Sequence, residues 1–477
     1  MKNMEVCAEI LKKYPIPDIK AIDQMLAQEL EKNKSKVIVL DDDPTGVQTV
    51  HDIWVFTKWT EEILEKGFRS NERVFYILTN SRAMTEQETW ALHKEIAENI
   101  EIVSVKTGIP YILISRSDST LRGHFPLETE TLRKTIESRG RMKFHGEILC
   151  PFFKEGGRFT VDDIHYVQMG DRLVPAAETE FAKDKTFSYS SSDLKAYIQE
   201  KTGGKYQKEK VCSVSLEDLK AVNVDKIQKQ LLEADNFSKI VVNATDYCDI
   251  KVFSVAVYRA MEKGKKFIFR SAAALVKEMG GIKERPLLTR VELIKKDTRA
   301  GGVVVIGSHT EKTTKQMERL SYLKNVEMIP FNSDLVLKEQ EFKDEIDRTV
   351  EKIAQIIAER KTAVVYTRRK LLSLPGETKE EALRKSVRIS EGVQSLVAKL
   401  KTEPAFILAK GGITSSDIGT KALKVEAARV MGQICPGIPV WRTGTESKFP
   451  GIPYVIFPGN VGEVDTLEKT VRVLTGE

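Results

Sequence analysis

The segment 36–50, KVIVLDDDPTGVQTV, constrains the fold of this chain more than any other stretch. Five residues that are mostly β-branched or aliphatic run without polar alternation into Asp41, Asp42 and Asp43. A short apolar run that ends in turn-forming residues is typical of a parallel strand buried on both faces. The acids should then lie at the carboxyl end of that strand, where open α/β sheets bind ligands. Because clustered, half-buried acids need a cation, a hydrogen-bonding ligand or a raised pKa, the segment predicts a binding site.

Length and composition limit the class of protein. At 477 residues the chain is too long for one hydrophobic core, which favours two or three domains. The net charge of +6 comes without a dense basic block, so it does not indicate nucleic-acid binding, although it suits anionic small substrates. No apolar run reaches the roughly 18 residues that a membrane span needs, so no membrane partner is expected.

The cysteines and the first residues bear on cellular location. The cysteines number five, an odd count, and are widely spaced, which favours reduced thiols in a cytoplasm over disulfides or a zinc site. Residues 1–18 include acids and lack a long apolar core, so they do not resemble a signal peptide. We therefore expect a cytoplasmic protein. The assembly state stays open, with a homodimer as one candidate.

Strands alternate with helical patterns through the first half of the chain. After the first strand the sequence predicts strands at 53–57, 73–79, 110–115 and 146–150, with helices between most of them. This alternation is typical of βαβ units and a mostly parallel sheet. Between residues 159 and 185 the pattern becomes alternating, which predicts an antiparallel hairpin or flap beyond the sheet.

Polar loops follow several predicted strands, at residues 80–82, 116–123 and 151–158. If the strands are parallel, these loops and the acids after the first strand meet at one edge. Their arginines offer planar groups that suit a carboxylate or phosphate. Their aspartates can accept a hydrogen bond from a hydroxyl, and one could act as a general base. The candidates are Arg82, Arg116, Arg122, Asp42 and Asp118.

Each of these features also has a purely structural explanation. The acids could form a solvated Asp-Pro turn, a single arginine after a strand is often a surface ion pair, and the Ser-Asp-Ser-Thr run could cap the helix that begins near Pro126. The number of such loops at one predicted edge favours a binding site.

The second half restarts with a buried strand of its own after the charged segment 283–300, the best candidate for a linker. Glycine-containing turns follow apolar strands within segments 301–310, 406–419 and 453–463. Glycine lets the backbone approach a ligand closely, and the N–H groups of such turns can bind phosphate oxygens. Three of them in one domain predict a nucleotide pocket, although neither a Walker pattern nor a GxGxxG fingerprint occurs at them.

Six short motifs follow one another along the chain. They are DDPTG at 42–46, DSTLRG at 118–123, a Cys-Pro to Gly-Arg segment at 150–158, Gly-Ser at 307–308, GGITS at 411–415 and PGNVG at 458–462. In this order they resemble the motifs of the four-carbon acid sugar kinase family, from about Val37 to Thr466. One such match would be weak, whereas six in family order are specific.

The resemblance implies an α/β fold of two three-layer α/β domains with mostly parallel sheets. Residues 1–285, with a helical extension at the start, would form the sugar-acid-binding domain, and residues 286–477 the ATP-binding domain. The implied activity is phosphoryl transfer from ATP, with Mg²⁺, to a hydroxyl of a tetronate-type acid such as threonate, erythronate or a 3-oxo-tetronate, across the cleft between the domains.

The resemblance also assigns site residues. Asp42 would orient or deprotonate the attacking hydroxyl, and Asp118 could exchange that role with it. The residues implied to contact the sugar acid are Asp42, Asp43, Arg82, Arg116, Ser117, Asp118, Ser119 and Arg122. Those implied to contact ATP are Ser308, Gly411, Gly412, Ile413, Thr414 and Gly459, and no metal ligand is identified.

Departures from the family pattern mark a divergent branch. Arg116 stands where a lysine is expected, Ile413 where an acid is usual, and Lys185 where a proline normally follows Asp184. The first suggests an altered acid-binding group, and the second weakens the case for a metal contact from that turn. Two other functions stay open. One is a sensor that binds a sugar acid and a nucleotide without catalysing a reaction. The other is a dinucleotide-dependent dehydrogenase of a sugar acid, although this chain lacks the glycines of the dinucleotide-binding fingerprint.

Overall fold

The computed structural model describes residues 6–15, 17–370, 372, 376–459 and 461–477. The chain forms two compact units, the first comprising Met1–Val50 and Lys58–Glu284, the second His51–Thr57 and Arg285–Glu477. The boundary expected from the sequence assigned residues 51–57 to the first domain, whereas here they pack with the second unit.

The strands, in chain order, are β1 (Val6–Cys7), β2 (Lys36–Asp41), β3 (Ile53–Phe56), β4 (Val74–Leu78), β5 (Tyr111–Arg116), β6 (Gly146–Cys150), β7 (Arg158–Val161), β8 (Ile164–Met169), β9 (Arg172–Pro175), β10 (Cys212–Val214), β11 (Ser238–Val242), β12 (Phe267–Ser271), β13 (Val303–Ile306), β14 (Val326–Phe331), β15 (Thr362–Thr367), β16 (Ile407–Lys410), β17 (Ala427–Cys435), β18 (Ile438–Thr443) and β19 (Pro453–Phe457).

The α-helices are α1 (Ile19–Lys32), α2 (Glu61–Arg69), α3 (Glu86–Thr107), α4 (Leu127–Ser138), α5 (Leu194–Lys201), α6 (Leu216–Lys220), α7 (Val224–Leu232), α8 (Tyr247–Glu262), α9 (Ala273–Gly280), α10 (Arg290–Leu293), α11 (Glu311–Glu318), α12 (Glu339–Ala358), α13 (Lys379–Ala398), α14 (Gly412–Asp417) and α15 (Thr466–Thr475). Some helices begin and end at residues that favour helix termini. For example, α3 begins with a Thr85–Glu88 capping box and ends at Gly108, which lies in the left-handed region.

The first unit is built on a parallel sheet with the strand order β10-β11-β6-β12-β5-β2-β4. Strand β2 is buried along its whole length, as its unbroken apolar run predicts. The helices pack in two groups, α2 with α3 and α4, and α1 with α8 and its neighbours. Beyond the sheet, β7, β8 and β9 form the antiparallel flap that the alternating pattern predicts, and β1, which was not predicted, pairs with β9 at its edge.

The second unit has a mixed sheet. Strands β19-β16-β13-β15-β14 run parallel, and β18, β17 and β3 continue the sheet in antiparallel pairs. Segment 283–300, expected to be a linker, contributes α10 and buried side chains to the core of this unit, among them Leu288 and Leu293. The predicted fold class, two α/β domains with mostly parallel sheets, is confirmed.

None of the helices in the described ranges combines the length and the apolar character that a membrane crossing requires. All five cysteines are free thiols, and Cys150, Cys248 and Cys435 are buried.

Candidate functional site

The turn after β2 holds its acids in different environments. Asp41 is buried, and its carboxylate accepts a hydrogen bond from the Asp43 amide at 3.3 Å. The Asp43 carboxylate accepts hydrogen bonds from the amide and the hydroxyl of Thr45, at 2.8 and 2.6 Å. A side chain is excluded at Gly46, because its Cβ would lie 1.9 Å from an Asp41 carboxylate oxygen. The DDPTG motif therefore folds as a tight turn packed on Asp41.

Asp42 forms a bidentate ion pair with Arg82. Nη2 of Arg82 lies 2.6 Å from Asp42 Oδ1, and Nε lies 3.2 Å from Oδ2. Arg82 also reaches Asp43 at 3.3 Å, and the Ser117 hydroxyl donates to Asp42 Oδ2 at 2.5 Å. The Asp42 side chain is 2% exposed and that of Arg82 is 21% exposed. These contacts join the turns that follow β2, β4 and β5, as expected for one edge of a parallel sheet.

Burial and ion pairing oppose one another at Asp42 and Asp118. Burial would raise the pKa of each carboxyl, but Arg82 at both sites, with Arg116 at Asp42 and Arg122 at Asp118, outweighs it and lowers the pKa. Both carboxylates are therefore ionised at neutral pH. They are suited to orienting a hydroxyl as hydrogen-bond acceptors, and neither has the pKa near 7 that favours a general base.

Asp41 differs because burial dominates there. Burial raises its pKa to about 7, although Arg116, 3.2 Å from Oδ1, acts in the opposite direction. Arg116 is itself buried and lies 3.8 Å from Asp42 Oδ1. Asp41 and Arg116 thus form an inner pair beside Asp42.

The loop after β5 is fixed both by its own side chains and by the flap. Asp118 accepts hydrogen bonds from the Thr120 hydroxyl and from Arg122 Nε, the latter at 2.7 Å, and Arg122 lies 3.7 Å from Asp184. Side chains of the flap and of the segment after it also contact the loop.

Three side chains of the flap and the segment after it hold consecutive carbonyl groups of this loop. His165 Nε2, the Tyr189 hydroxyl and the Tyr197 hydroxyl donate to the carbonyls of residues 119, 120 and 121, at 2.7, 2.8 and 2.9 Å. All three side chains are buried, and burial lowers the pKa of His165 to about 4. Sequence reasoning missed these supports. The only available signal was the inward register of His165 in an alternating strand.

Arg270 is a second residue that sequence reasoning missed. It lies in β12, donates from Nη1 to Glu128 Oε2 at 2.7 Å, and donates from Nη2 to the Arg122 carbonyl at 3.2 Å. At Gly123, φ is +119°, and a Cβ would lie 2.6 Å from Ser117 Oγ and 2.8 Å from Arg270 Nη2. The available signal for its position was an arginine directly after the apolar run 267–269.

The first unit thus brings the predicted substrate residues to one edge. Ser119 contributes through its carbonyl, whereas the other members are linked through their side chains. Their contact with a substrate stays a prediction. The set comprises Asp42, Asp43, Arg82, Arg116, Ser117, Asp118, Ser119 and Arg122.

Three turns of the second unit meet at the carboxyl edge of β13, β16 and β19. A Cβ at Gly307 would lie 2.2 Å from Thr414 Oγ1, one at Gly411 would lie 3.3 Å from Ser308 Cβ, and one at Gly459 would lie 3.7 Å from Ser308 Oγ. Gly411 has a φ of +119°, a conformation that favours glycine. The three turns are therefore in contact, with Ser308 touching the other two.

Hydroxyl groups and a helix start border the same place. Gly412 is the first residue of α14, and Thr313 Oγ1 donates to Ser308 Oγ at 3.1 Å. The side chain of Ile413 is 70% exposed. Asn460, part of the PGNVG motif, lies outside the described residues.

Two cations at these turns were not identified from the sequence. Lys410 is buried and donates to the carbonyls of residues 458 and 459, at 2.7 and 3.0 Å, and burial lowers its pKa to about 7. Arg369 Nη2 donates to the Ser308 carbonyl at 2.6 Å and to Thr314 Oγ1 at 3.0 Å. Among the described residues, neither cation forms an ion pair with an acid.

The residue types at these turns suit phosphate better than a divalent cation. Across the described ranges, no group of three or more His, Cys, Asp or Glu side chains is placed to hold a metal ion. The turns offer amides, hydroxyls and cations, and Ile413 supplies no ligand atom. Mg²⁺ prefers carboxylate, phosphate and water oxygens, so the protein does not fit as the holder of a resident metal here.

Each unit contains a cavity among its described residues. In the first unit, about 10 Å³, room for one water molecule, lies between the loop after β5 and the end of β12 and is lined by Asp118, Tyr197 and Arg270 among others. In the second unit, a cavity of about 290 Å³ lies beside the residues that precede β13, β16 and β19. It opens at the edge opposite the three turns and is separate from them.

Comparison with known families agrees with this division. The family described as a sugar-binding N-terminal domain matches residues 37–279. The family described as a nucleotide-binding C-terminal domain matches residues 303–467. The acid and arginine cluster lies within the first match, and the three glycine turns lie within the second.

Several solved structures share the fold. A Salmonella typhimurium LT2 protein described as a candidate tRNA synthase has a TM-score of 0.67 at 14% identity, covering 92% of this chain and 99% of its own. A Haemophilus influenzae protein of family DUF1537 has a TM-score of 0.60 at 17% identity, covering 92% of this chain and 100% of its own.

A Bordetella bronchiseptica protein of family DUF1537, solved as a domain-swapped dimer with bound citrate, has a TM-score of 0.39 at 18% identity and covers 92% of this chain and 98% of its own. No curated protein sequence matches this chain. On the two domain matches and their order, the chain belongs to the family that joins a sugar-binding N-terminal domain to a nucleotide-binding C-terminal domain, the four-carbon acid sugar kinase-like proteins.

Proposed function

We propose that this protein is a kinase that transfers the γ-phosphoryl group of ATP to a hydroxyl of a four-carbon sugar acid of the threonate, erythronate or 3-oxo-tetronate type. The observation that carries the proposal is the contact of three glycine turns in the nucleotide-binding domain, with two cations beside them that have no acid partner among the residues that the structure describes. A site that only bound a sugar acid would have no use for such a phosphate cradle.

The donor side of the reaction belongs to the second unit. Amide and hydroxyl groups of the three turns bind the phosphates, and Lys410 and Arg369 offset part of their negative charge. Mg²⁺ enters with ATP as part of that substrate, because no group of three or more His, Cys, Asp or Glu side chains in the described ranges is placed to hold it. The residues assigned to ATP are Ser308, Gly411, Gly412, Ile413, Thr414 and Gly459.

The acceptor side belongs to the first unit. Asp42 accepts a hydrogen bond from the attacking hydroxyl and aligns its oxygen, since its lowered pKa keeps it ionised. A carboxylate has about four acceptor positions, and Arg82 and Ser117 use three of them at Asp42, which leaves one for the substrate. Asp118 is the alternative for this role.

Such an arrangement is chemically sufficient for a kinase. Phosphoryl transfer depends on positioning and on charge stabilisation more than on covalent help from the protein. A carboxylate that aligns the hydroxyl, amides that hold the phosphates and cations that offset charge supply both requirements.

The direct test is ADP release by the full-length protein with ATP and Mg²⁺ against a panel of C4 and C5 sugar acids. We expect one tetronate to stimulate ADP release well above the rate without acid. Binding of acid and ATP without ADP release would instead support a sensor, and turnover that requires a nicotinamide cofactor would support a dehydrogenase. Either result would overturn the kinase proposal.

A further inference from the structure

Five arginine side chains lie around the acid-rich edge of the first unit, and they differ in how their charge is balanced. Four of them contact an acid of the chain within 4 Å: Arg82 with Asp42 and Asp43, Arg116 with Asp41, Arg122 with Asp118 and Asp184, and Arg270 with Glu128. The fifth is Arg158, which forms no ion pair with any residue in the described part of the chain. Its Nε is buried and has no hydrogen-bond partner there.

Arg158 lies close to the Asp118 loop. It is the first residue of β7, and its guanidinium carbon lies 5.5 Å from the centre of the Phe181 ring. The guanidinium carbon of Arg122 lies 5.2 Å from the centre of the same ring. Phe181 therefore packs against both guanidinium groups, and in the part of the chain that the structure describes Arg122 alone of the two contacts acids.

The surroundings of Arg158 disfavour its charged form. Burial lowers its pKa, and Arg122 lowers it further, whereas Asp118 raises it without contacting it. Arg158 is half-buried, and its buried Nε–H group is unfavourable without a hydrogen-bond partner unless a ligand supplies one. Packing on Phe181 uses the face of the guanidinium group and leaves its in-plane N–H groups for an anion.

We propose that Arg158 binds the carboxylate group of the acid substrate, an assignment that rests on the proposed kinase function. A guanidinium group binds a carboxylate through two parallel hydrogen bonds, which also fixes the direction of the bound acid. The other four arginines already contact acids of the chain, so they shape the site, while Arg158 is the arginine whose charge is left for the ligand. Arg158 thereby selects acids over neutral polyols of the same length.

The test is calorimetric titration of the full-length protein without nucleotide, using D-threonate and D-erythronate as acids and threitol and erythritol as neutral counterparts. We expect the wild type to bind an acid more tightly than its polyol. Arg158→Gln should weaken acid binding by about tenfold to a hundredfold, the range expected for hydrogen bonds to a charged group. It should leave polyol binding unchanged.

Two further variants separate recognition from folding. Arg158→Lys keeps the charge without the planar fork and should bind acid with intermediate affinity. Arg141→Gln removes an exposed arginine and should bind like the wild type. Equal acid affinity in Arg158→Gln and the wild type would overturn the assignment alone, as would equal losses for acid and polyol. Absence of acid binding to the wild type would overturn the kinase proposal and the assignment with it.

Discussion

The two candidate sites handle charge in opposite ways. At the edge of the first unit, four arginines contact carboxylates of the chain, as in Asp42 with Arg82 and Asp41 with Arg116, and Arg158 is the exception. At the three turns of the second unit, glycines and hydroxyls meet, and within the described ranges Lys410 and Arg369 donate hydrogen bonds to neutral groups. A dense set of fixed pairs suits recognition of one small molecule, whereas a neutral cradle with spare cations suits phosphates, which bring their own charge.

The largest expected effect comes from a substitution in the acid and arginine cluster of the first unit. Asp42→Asn removes the charge that aligns the hydroxyl while it retains the shape of the side chain. We expect kcat for the best sugar acid to fall by about 10², the loss expected when a reacting group is misplaced, measured by ADP release. Asp118→Asn in the same assay decides which of the two acids holds the role.

Controls separate this effect from unfolding. Removing one partner of a buried ion pair can destabilise a protein strongly, so melting temperature is measured for each variant. Asp171→Asn, which changes an exposed aspartate of the flap, should retain wild-type activity. Normal kcat in both Asp42→Asn and Asp118→Asn would break the distinction between the two regions.

Gly411→Ala tests the three glycine turns of the second unit and has the next largest expected effect. Gly411→Ala introduces a Cβ at a φ of +119° and 3.3 Å from Ser308 Cβ. Backbone strain of this kind costs on the order of 1–3 kcal/mol, so KM for ATP should rise by roughly tenfold to a hundredfold. Binding of the sugar acid should not change.

Gly140→Ala is the matched control for Gly411→Ala. Gly140 also has a positive φ, of +71°, but nothing lies within 4 Å of its added Cβ. We expect it to reduce stability slightly without affecting KM for ATP. A similar rise in KM from both variants would mean that general destabilisation, and not the cradle, is responsible.

Lys410→Met tests the spare cation. The pKa of Lys410 is about 7, below its ordinary 10.5, so between these values the unfolded chain binds more protons at this lysine, and its contribution to stability rises with pH. Bound phosphate favours the charged form, so ATP binding at pH 8 should take up protons. Calorimetry in two buffers of different ionisation enthalpy measures this uptake.

The variant should abolish that proton uptake and weaken ATP binding by about tenfold, the loss expected for about 1.5 kcal/mol of charged hydrogen bonding. Lys401→Met, at an exposed lysine of the same unit, serves as the control. Proton uptake that persists in Lys410→Met would assign it to another group.

The fold could be predicted largely because its signals are local. The apolar run of β2, the glycines of the second unit and the alternating flap each mark an element from its own residues. The rule that loops after parallel strands share an edge then predicts which loops meet. Nothing local predicts a partner strand, and so β3, which pairs with β17 of the second unit, was expected in the first domain.

The site was predicted less completely, since its details depend on long-range contacts. Asp42 and Arg82 were identified as candidates, but the sequence does not indicate which acid an arginine will pair with. The roles of His165 and Lys410 depend on carbonyl groups more than 40 residues away in the chain. The ion pairs between arginines and acids decide which cations remain for a ligand. These ion pairs are known only once the chain is folded.

The smallest effect distinguishes Asp41 from its neighbour. Burial raises the pKa of Asp41 to about 7 from its ordinary 3.8, so the folded chain binds a proton that the unfolded chain releases between these values. Its contribution to stability is complete below pH 3.8 and is lost as the pH rises through 7. Asp41→Asn mimics the neutral form, so the variant should gain stability relative to the wild type between pH 5 and pH 8.

Asp42 should give the opposite sign, because its pKa is lowered. The stability that its charge contributes is present above pH 3.8 and is lost as the pH falls through its folded pKa, so Asp42→Asn should be as destabilising at pH 8 as at pH 5. Chemical denaturation of both variants and the wild type at the two pH values measures the contrast. If Asp41→Asn gave the same change at both, Asp41 would be ionised in the folded protein, and Arg116 would outweigh its burial.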